Sequence, residues 1–214
     1  METPKGLLRV SASTAFGEKI LVPLIKPFQA RYPDIELSLT LSDAQVDLIA
    51  SGIDLAVRLA PDAPPETIVS RLTTTHYRVV ASPSYIAANP LSEPMELSKR
   101  QCLRFPYAGF RDLWRARDAD GTIVDIPIAG AVEISGAMAL RAAALEGLGP
   151  ALLADWLIAD DIVSGAFVDP FPKFEWAATR FDTGAWLLFP SRAFLPAKTR
   201  VFIELLREWA LRQR

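Results

Sequence analysis

The chain has 214 residues, half of them apolar, which is enough for one large domain or two small lobes with a substantial core. A formal net charge of −2 and the lack of a basic stripe exclude gripping a phosphate backbone through this segment alone. A single cysteine, Cys102, excludes an intramolecular disulfide and fits a reducing compartment. No basic region followed by an apolar run opens the chain, and no apolar stretch approaches membrane-spanning length, so the expected location is the cytoplasm, with no membrane partner.

In chain order, Leu7–Ser11 reads as a short apolar strand. Phe16, Ile20, Leu24 and Phe28 follow at four-residue spacing and mark one helical face. Pro23 and Pro27 interrupt that helix, so a kink or restart is expected near Pro23, and Tyr32-Pro33-Asp34 ends it. Ile35, Leu37, Leu39 and Leu41 alternate with Glu36, Ser38 and Thr40, the pattern of a strand with one buried face. Asp43 is placed to cap a helix running to Ser51, stopped by Gly52, and Ile53–Arg58 reads as a strand covered on both faces.

Pro61–Pro65 is a loop, followed by strands at Ile68–Leu72 and Tyr77–Ala81. Ser82-Pro83 starts a helix, with Ser as cap and Pro at the first helical position. After a loop from Pro90 to Pro94, Gln101–Phe105 is expected as a strand. Leu113–Arg117 and Thr122–Ile126 form a hairpin with Asp120-Gly121 in its turn. Ser135-Gly136 opens an alanine-rich helix to Glu146, ended by Gly147. Ala151–Ala154 is a strand, and Asp155 caps a helix to about Ile162. A strand at Ala185–Phe189 and a helix at Pro196–Arg212 close the chain, the helix with Val201, Phe202, Leu205, Leu206 and Trp209 on its apolar face. Alternating strands and helices give an α/β class with mostly parallel sheets. Helices that begin just after strands, at Ser/Thr or Ser/Asp, point bare N–H groups beyond the strand ends, where a small anion can sit.

With these landmarks in place, the chain resembles the effector-binding domain of LysR-type transcriptional regulators. The matching pieces are Gly6-Leu-Leu-Arg-Val10, Pro23-Leu-Ile-Lys-Pro-Phe28, Arg31-Tyr-Pro-Asp-Ile35 and Val46-Asp-Leu-Ile-Ala-Ser-Gly-Ile-Asp-Leu-Ala-Val-Arg58. They continue with Arg78-Val-Val-Ala-Ser-Pro-Ser-Tyr85, Cys102-Leu-Arg-Phe105, Ala139-Leu-Arg-Ala-Ala-Ala-Leu-Glu-Gly-Leu-Gly149 and Phe189-Pro-Ser-Arg192, and cover essentially the whole chain. No one motif is decisive; the order and spacing of all of them carry the resemblance. The Cys-Leu-Arg-Phe and Val-Ala-Ser-Pro pieces resemble the branch that often senses aromatic or other small acids.

The resemblance implies a type 2 periplasmic-binding-protein-like fold: two Rossmann-like lobes joined by two crossover strands, near Val80–Pro83 and Gly184–Trp186, with a ligand cleft between them. Lobe I is expected to hold residues 1–82 and 186–214, and lobe II residues 83–185. The family's amino-terminal winged helix-turn-helix is absent from this chain, so an isolated sensor half is expected, reaching DNA only through that missing domain. The first helix, the Ile35–Leu41 strand and the last helix would lie on one side of lobe I, where the family forms an antiparallel homodimer or a higher homo-oligomer. The alternative is an amphipathic helix packed on its own core.

The same resemblance places the candidate effector contacts. Ser11, Ser13 and Thr14 end the first strand, and their hydroxyls and the following amides could hold a carboxylate, though one of them could serve only as a helix cap. Ser42 and Asp43 occupy the second such turn. Asp43 suits a cap better, because its charge repels an anion. Arg58 ends the third strand and could pair bidentately with a carboxylate, or be a solvated surface arginine. On lobe II, Phe105 and Tyr107 could supply an aromatic wall, with core packing the stronger alternative for Phe105. Ser135 and Gly136 begin a helix that should face the cleft, or serve as its cap alone.

Other chemistry finds little support. Cys102 lies in an apolar strand without a partner cysteine. His76 is the single histidine, with no second ligand nearby and no serine and acid partners. There is no Gly-x-Ser-x-Gly elbow, no Gly-x-Gly-x-x-Gly and no phosphate loop. Trp114, Trp176, Trp186 and Trp209 read as packing residues. The expectation is therefore a small-molecule sensor with no catalytic residues, metal or cofactor. A transport solute-binding protein or an enzyme on the same scaffold are the competing readings.

Overall fold

A computed structural model describes residues 3–44, 48–60, 68–190 and 195–212. The elements are β1 (Gly6–Ala12), α1 (Thr14–Phe16), α2 (Val22–Arg31), β2 (Ile35–Leu41), β3 (Leu55–Ala60), β4 (Ile68–Thr74) and β5 (Tyr77–Val80). They continue with α3 (Pro83–Ala88), β6 (Leu113–Arg117), β7 (Ile123–Pro127), α4 (Ala137–Leu145), β8 (Ala151–Ala154), α5 (Asp155–Val163), β9 (Glu175–Ala177), β10 (Gly184–Phe189) and α6 (Ala197–Arg212). The expected loop Pro61–Pro65 lies outside the described residues, as do Val46 and Arg192 of the quoted motifs.

The chain divides into two compact units, Met1–Thr74 with Thr183–Arg214, and Thr75–Asp182. The sequence places these divisions at 82/83 and 185/186. Both fall earlier in the structure: the first because β5 pairs along its whole length with β8, and through Tyr77 with β9, inside the second unit, the second because Gly184 and Ala185 already pair with β3 and β4.

The first unit holds a five-stranded sheet in the order β2-β1-β3-β10-β4. β1 runs parallel to β2 and β3, whereas β10 is antiparallel to both β3 and β4. The expectation of mostly parallel pairing therefore holds only for the first three strands. The restart expected near Pro23 is present: a π-helical turn, Gly17–Leu21, separates α1 from α2, and Pro23 sits in the first turn of α2. Proline has no N–H to donate back to residue 19, so a wider turn there leaves a smaller backbone deficit. The same turn brings both Ile20 and Leu21 into the core beside Phe16 and Phe28. Phe28 meets Phe202 edge-on at 4.9 Å and Phe16 meets Trp209 at 5.5 Å, which locks the apolar face of α6 against the first helical segment. Lys198 fastens the start of α6: its Nζ lies 2.9 Å from Asp54 Oδ2 and also bonds the Leu7 carbonyl.

The second unit has a five-stranded sheet, β7-β6-β9-β5-β8, in which every strand pair is antiparallel. The hairpin β6–β7 forms as its Asp-Gly turn predicts. β9, at three residues, is too short to show a periodicity and is absent from the sequence expectations. Gln101–Phe105 makes single parallel bridges, Gln101 to Ala129, Leu103 to Ala151 and Arg104 to Glu133, in place of a full strand. Glycines let the backbones approach there. A Cβ on Gly130 would lie 2.0 Å from the Cys102 carbonyl oxygen, and one on Gly149 2.3 Å from that of Gln101. The core of this unit gathers Val79, Leu97, Cys102, Trp114, Ile126, Leu152, Phe171 and Trp176. Trp114, Trp176 and Trp209 are buried and Trp186 is half-buried, in keeping with packing roles.

Candidate functional site

In the first unit, parallel pairing sets three strand ends side by side. Ser11 and Ala12 of β1 stand opposite Ala56 and Val57 of β3, so Arg58 projects one residue beyond the paired ends. On the other flank the Ser42 amide donates to the Ala12 carbonyl at 2.9 Å, which holds the β2 exit turn against the start of the first helical segment. Arg58 Nη2 donates to Ser11 Oγ at 2.7 Å, and its Nη1 to its neighbour's carbonyl, Val57 O, at 3.0 Å. Ser11 is fully buried, so this is an anchor for a guanidinium that is itself half-buried. Burial lowers the Arg58 pKa from its ordinary value, with the nearby Asp43 charge opposing that shift.

Asp43 faces the start of the first helical segment. Its Oδ1 accepts from the Thr14 amide at 3.1 Å, so it caps the first helical segment from across the two strand ends. Ser42 takes the local role: its Oγ accepts from the Ala44 amide at 3.2 Å. Residues 45–47 of the expected helix lie outside the described residues, and residues 48–52 form a turn. Ser13 is the N-cap residue of α1, yet its side chain makes no capping bond. Its Oγ is buried and has no hydrogen-bond partner among the described residues. Arg58 with Ser11, Asp43 with Thr14 and Ser42 with Ala12 are thus joined at adjoining strand ends, and Ser13 lies among them without a side-chain bond.

In the second unit, Phe105 and Tyr107 stack with ring centroids 5.9 Å apart. Phe105 also meets Phe110 edge-on at 5.5 Å, and Phe110 packs on Tyr77, so Phe105 is half-buried at the margin of the core. Tyr107 is 47% exposed and donates from its hydroxyl to the Ser135 carbonyl at 3.1 Å. That bond brings the aromatic loop to the start of α4. Gly136 is the α4 N-cap residue, with extended backbone and, being glycine, no side chain to cap the first amides of the helix.

Arg104 was not singled out from the sequence, although it stands inside the Cys-Leu-Arg-Phe piece. It donates to Gly130 O at 2.5 Å, Arg111 O at 3.2 Å and Glu133 Oε1 at 2.9 Å. These bonds tie both ends of the aromatic loop to the segment leading into Ser135. Asp155 is the first residue of α5 and accepts from the Trp156 amide at 2.7 Å, one position later than the cap expected there. Burial, reinforced by the Asp155 charge, pushes the Tyr77 hydroxyl up to about 12. Cys102 is buried with its Sγ 3.7 Å from Leu97 O, and burial pushes its thiol up to about 12. Among the described residues no group of three or more His, Cys, Asp or Glu could hold a metal ion, and no helix is long and apolar enough to cross a membrane. A surface concavity of about 370 Å³ at the β6–β7 turn, lined by Arg117, Asp118, Lys173 and Glu175 among others, involves none of the candidate residues.

The two α/β units, with this interleaved chain path, define a type 2 periplasmic-binding-protein-like fold of two Rossmann-like lobes. The family model of the LysR substrate binding domain matches residues 1–211. The chain belongs to that family. Among curated relatives, it is 28% identical over 214 residues to the HTH-type transcriptional regulator DmlR of Escherichia coli K12, covering 97% of this chain and 66% of that protein. It is 33% identical over 168 residues to the HTH-type transcriptional regulator CrgA of Neisseria meningitidis, covering 78% of this chain and 56% of that protein. The solved regulatory domain of CrgA superposes with a TM-score of 0.82 at 29% identity, covering 97% of this chain and all of that one. The effector domain of AmpR of Pseudomonas aeruginosa shares the fold, with a TM-score of 0.77 at 24% identity over 97% of each chain. The chain spans about two thirds or less of the length of the curated relatives it matches.

Proposed function

We propose that the chain is the effector-sensing part of a LysR-type transcriptional regulator in the cytoplasm, and that its effector is a small carboxylate or aromatic acid held between the two lobes. Lobe I contributes Ser11, Ser13, Thr14, Ser42, Asp43 and Arg58; lobe II contributes Phe105, Tyr107, Ser135 and Gly136. Effector binding shifts the population of lobe or subunit arrangements by no more than its difference in affinity for them, and DNA is reached through an amino-terminal domain outside this chain. The single observation that carries the reading is the half-buried Arg58 anchored on Ser11 beside the unpartnered Ser13 hydroxyl. A cation is held there at the ends of parallel strands, with the buried Ser13 hydroxyl two residues along the chain from its Ser11 anchor.

A homodimer through lobe I fits the same reading. Leu37, Leu39 and Leu41 on the edge strand β2 remain only half-buried, and Val22 on α2 is 48% exposed. Light scattering at micromolar concentration is expected to give twice the chain mass.

The effector assignment is tested by thermal shift with a panel of aliphatic and aromatic acids. At a hundred times its Kd a ligand stabilises by about 2.7 kcal/mol, a readily measured rise in melting temperature. The rise is expected to disappear in Arg58→Ala and Ser13→Ala. A panel without any stabilising acid, or stabilisation that survives both substitutions, would overturn the assignment.

A further inference from the structure

The chain crosses between its two units twice, after Thr74 and before Thr183. Inside the first unit these two ends lie side by side. Gly184 pairs with Thr74 and Ala185 with Thr73, on the last rungs that join β10 to β4. The register then shifts, and Trp186 stands opposite Arg71. Leu72 is thus an extra residue in β4, a β-bulge, and bulges bend a strand and re-aim the side chains beside them. The side chain beside this one is Arg71. Its guanidinium carbon lies 5.6 Å from the centre of the Trp186 ring, and its Nη2 donates to the Thr183 carbonyl at 3.2 Å. Successive residues of a strand face opposite ways, so Gly184 and Trp186 share one face of β10, and the arginine runs along that face over the glycine. Glycine is what leaves the path open: a Cβ there would lie 3.0 Å from Arg71 Nε and 2.9 Å from the Thr73 carbonyl oxygen. β4 is the outermost strand of its sheet, so within the sheet its last residues are held by β10 alone.

We infer that Arg71 is a clasp on the paired crossings: seated on Trp186 and bonded to the Thr183 carbonyl, it keeps the start of β10 on the end of β4 and sets how often this ribbon frays. The end of an edge strand opens locally at small cost, and the clasp raises that cost. Arginine suits the task because one planar group both stacks and donates, whereas a lysine ammonium donates without stacking. The inference goes beyond the effector reading and stands whether or not that reading holds, since it concerns residues of the first unit alone. Its consequence is that any change of state passed along the chain from one unit to the other travels through a ribbon whose stiffness one side chain controls.

The test is amide hydrogen exchange of the full chain, read by mass spectrometry on peptides covering residues 70–76 and 182–187, with peptides from β1 and β8 as internal references. Arg71→Ala is expected to speed exchange in both crossing peptides about fivefold, the worth of one exposed cation–π contact with one hydrogen bond, and to leave β1 and β8 unchanged. Arg71 is solvent-exposed, so its removal leaves no cavity in the core. Arg71→Lys should fall between the two. Trp186→Leu should also speed exchange, and adding Arg71→Ala to it should give less than the product of the two separate factors, because the two side chains act together. Unchanged exchange at the crossings in Arg71→Ala would overturn the clasp. So would an equal rise in β1 and β8, the mark of a general loss of stability, or two factors that simply multiply.

Discussion

Arg104 offers the sharpest test of how the second unit braces its aromatic loop. Its guanidinium reaches three acceptors that diverge around it: Gly130 O at 2.5 Å, Arg111 O at 3.2 Å and Glu133 Oε1 at 2.9 Å. The side chain is only 14% exposed, so water replaces little of this on substitution. Lysine keeps the charge but carries a single ammonium, which cannot face two backbone carbonyls and a carboxylate at once. Bonds to charged groups contribute about 1.5–3 kcal/mol each, and Arg111 at 3.1 Å still compensates Glu133. Arg104→Lys should therefore cost about 2 kcal/mol and Arg104→Ala about 3–4 kcal/mol. For a chain of this size each kcal/mol lowers the melting temperature by about 2–4 °C. Urea denaturation gives the free energies, and Tyr107 fluorescence quenching in a Trp-independent channel reports whether the aromatic loop has loosened. A lysine variant within about 0.5 kcal/mol of the unsubstituted chain, with Tyr107 unchanged, would refute the bracing role, because such a loss is what an ordinary surface substitution produces.

Cys102 should resist thiol reagents. With its thiol pushed up to about 12 from an ordinary 9.0, only about one molecule in ten thousand carries the thiolate at pH 8, so disulfide reagents should label the chain only after unfolding. The folded state holds that proton more tightly, so the associated stability is fully present below pH 9.0 and is lost as pH rises toward 12; alkaline denaturation curves of Cys102→Ala should lack this component. Gly130→Ala places a methyl 2.0 Å from the Cys102 carbonyl and should cost about 3 kcal/mol by chemical denaturation, where a cost under 1 would mean that the backbones can separate freely. Ser82 accepts from the Tyr85 amide at 3.2 Å, so Ser82→Ala should cost about 1 kcal/mol by chemical denaturation.

Much of this fold was legible because its signals are local. The alternation in Ile35–Leu41, the Asp-Gly turn between β6 and β7, the Ser-Pro start of α3 and the apolar face of α6 each lie within one element, and the structure has them at those places. What escaped depends on contacts between distant segments. β10 reads as an apolar strand, but its antiparallel entry between β3 and β4 is decided by pairing partners well over a hundred residues away. β9 has three residues and no pattern to detect. Asp43 has the sequence of a local cap, while its hydrogen-bond partner lies 29 residues back along the chain. Arg104 sits inside the Cys-Leu-Arg-Phe motif, yet three acceptors from outside that motif give it its role.

The most direct measurement is a crystal structure of the chain with the acid that stabilises it most. Density for that acid is expected with its carboxylate at about 3 Å from the Arg58 guanidinium. Density elsewhere on the surface, with Arg58 still bound only to Ser11 and Val57, would contradict the account.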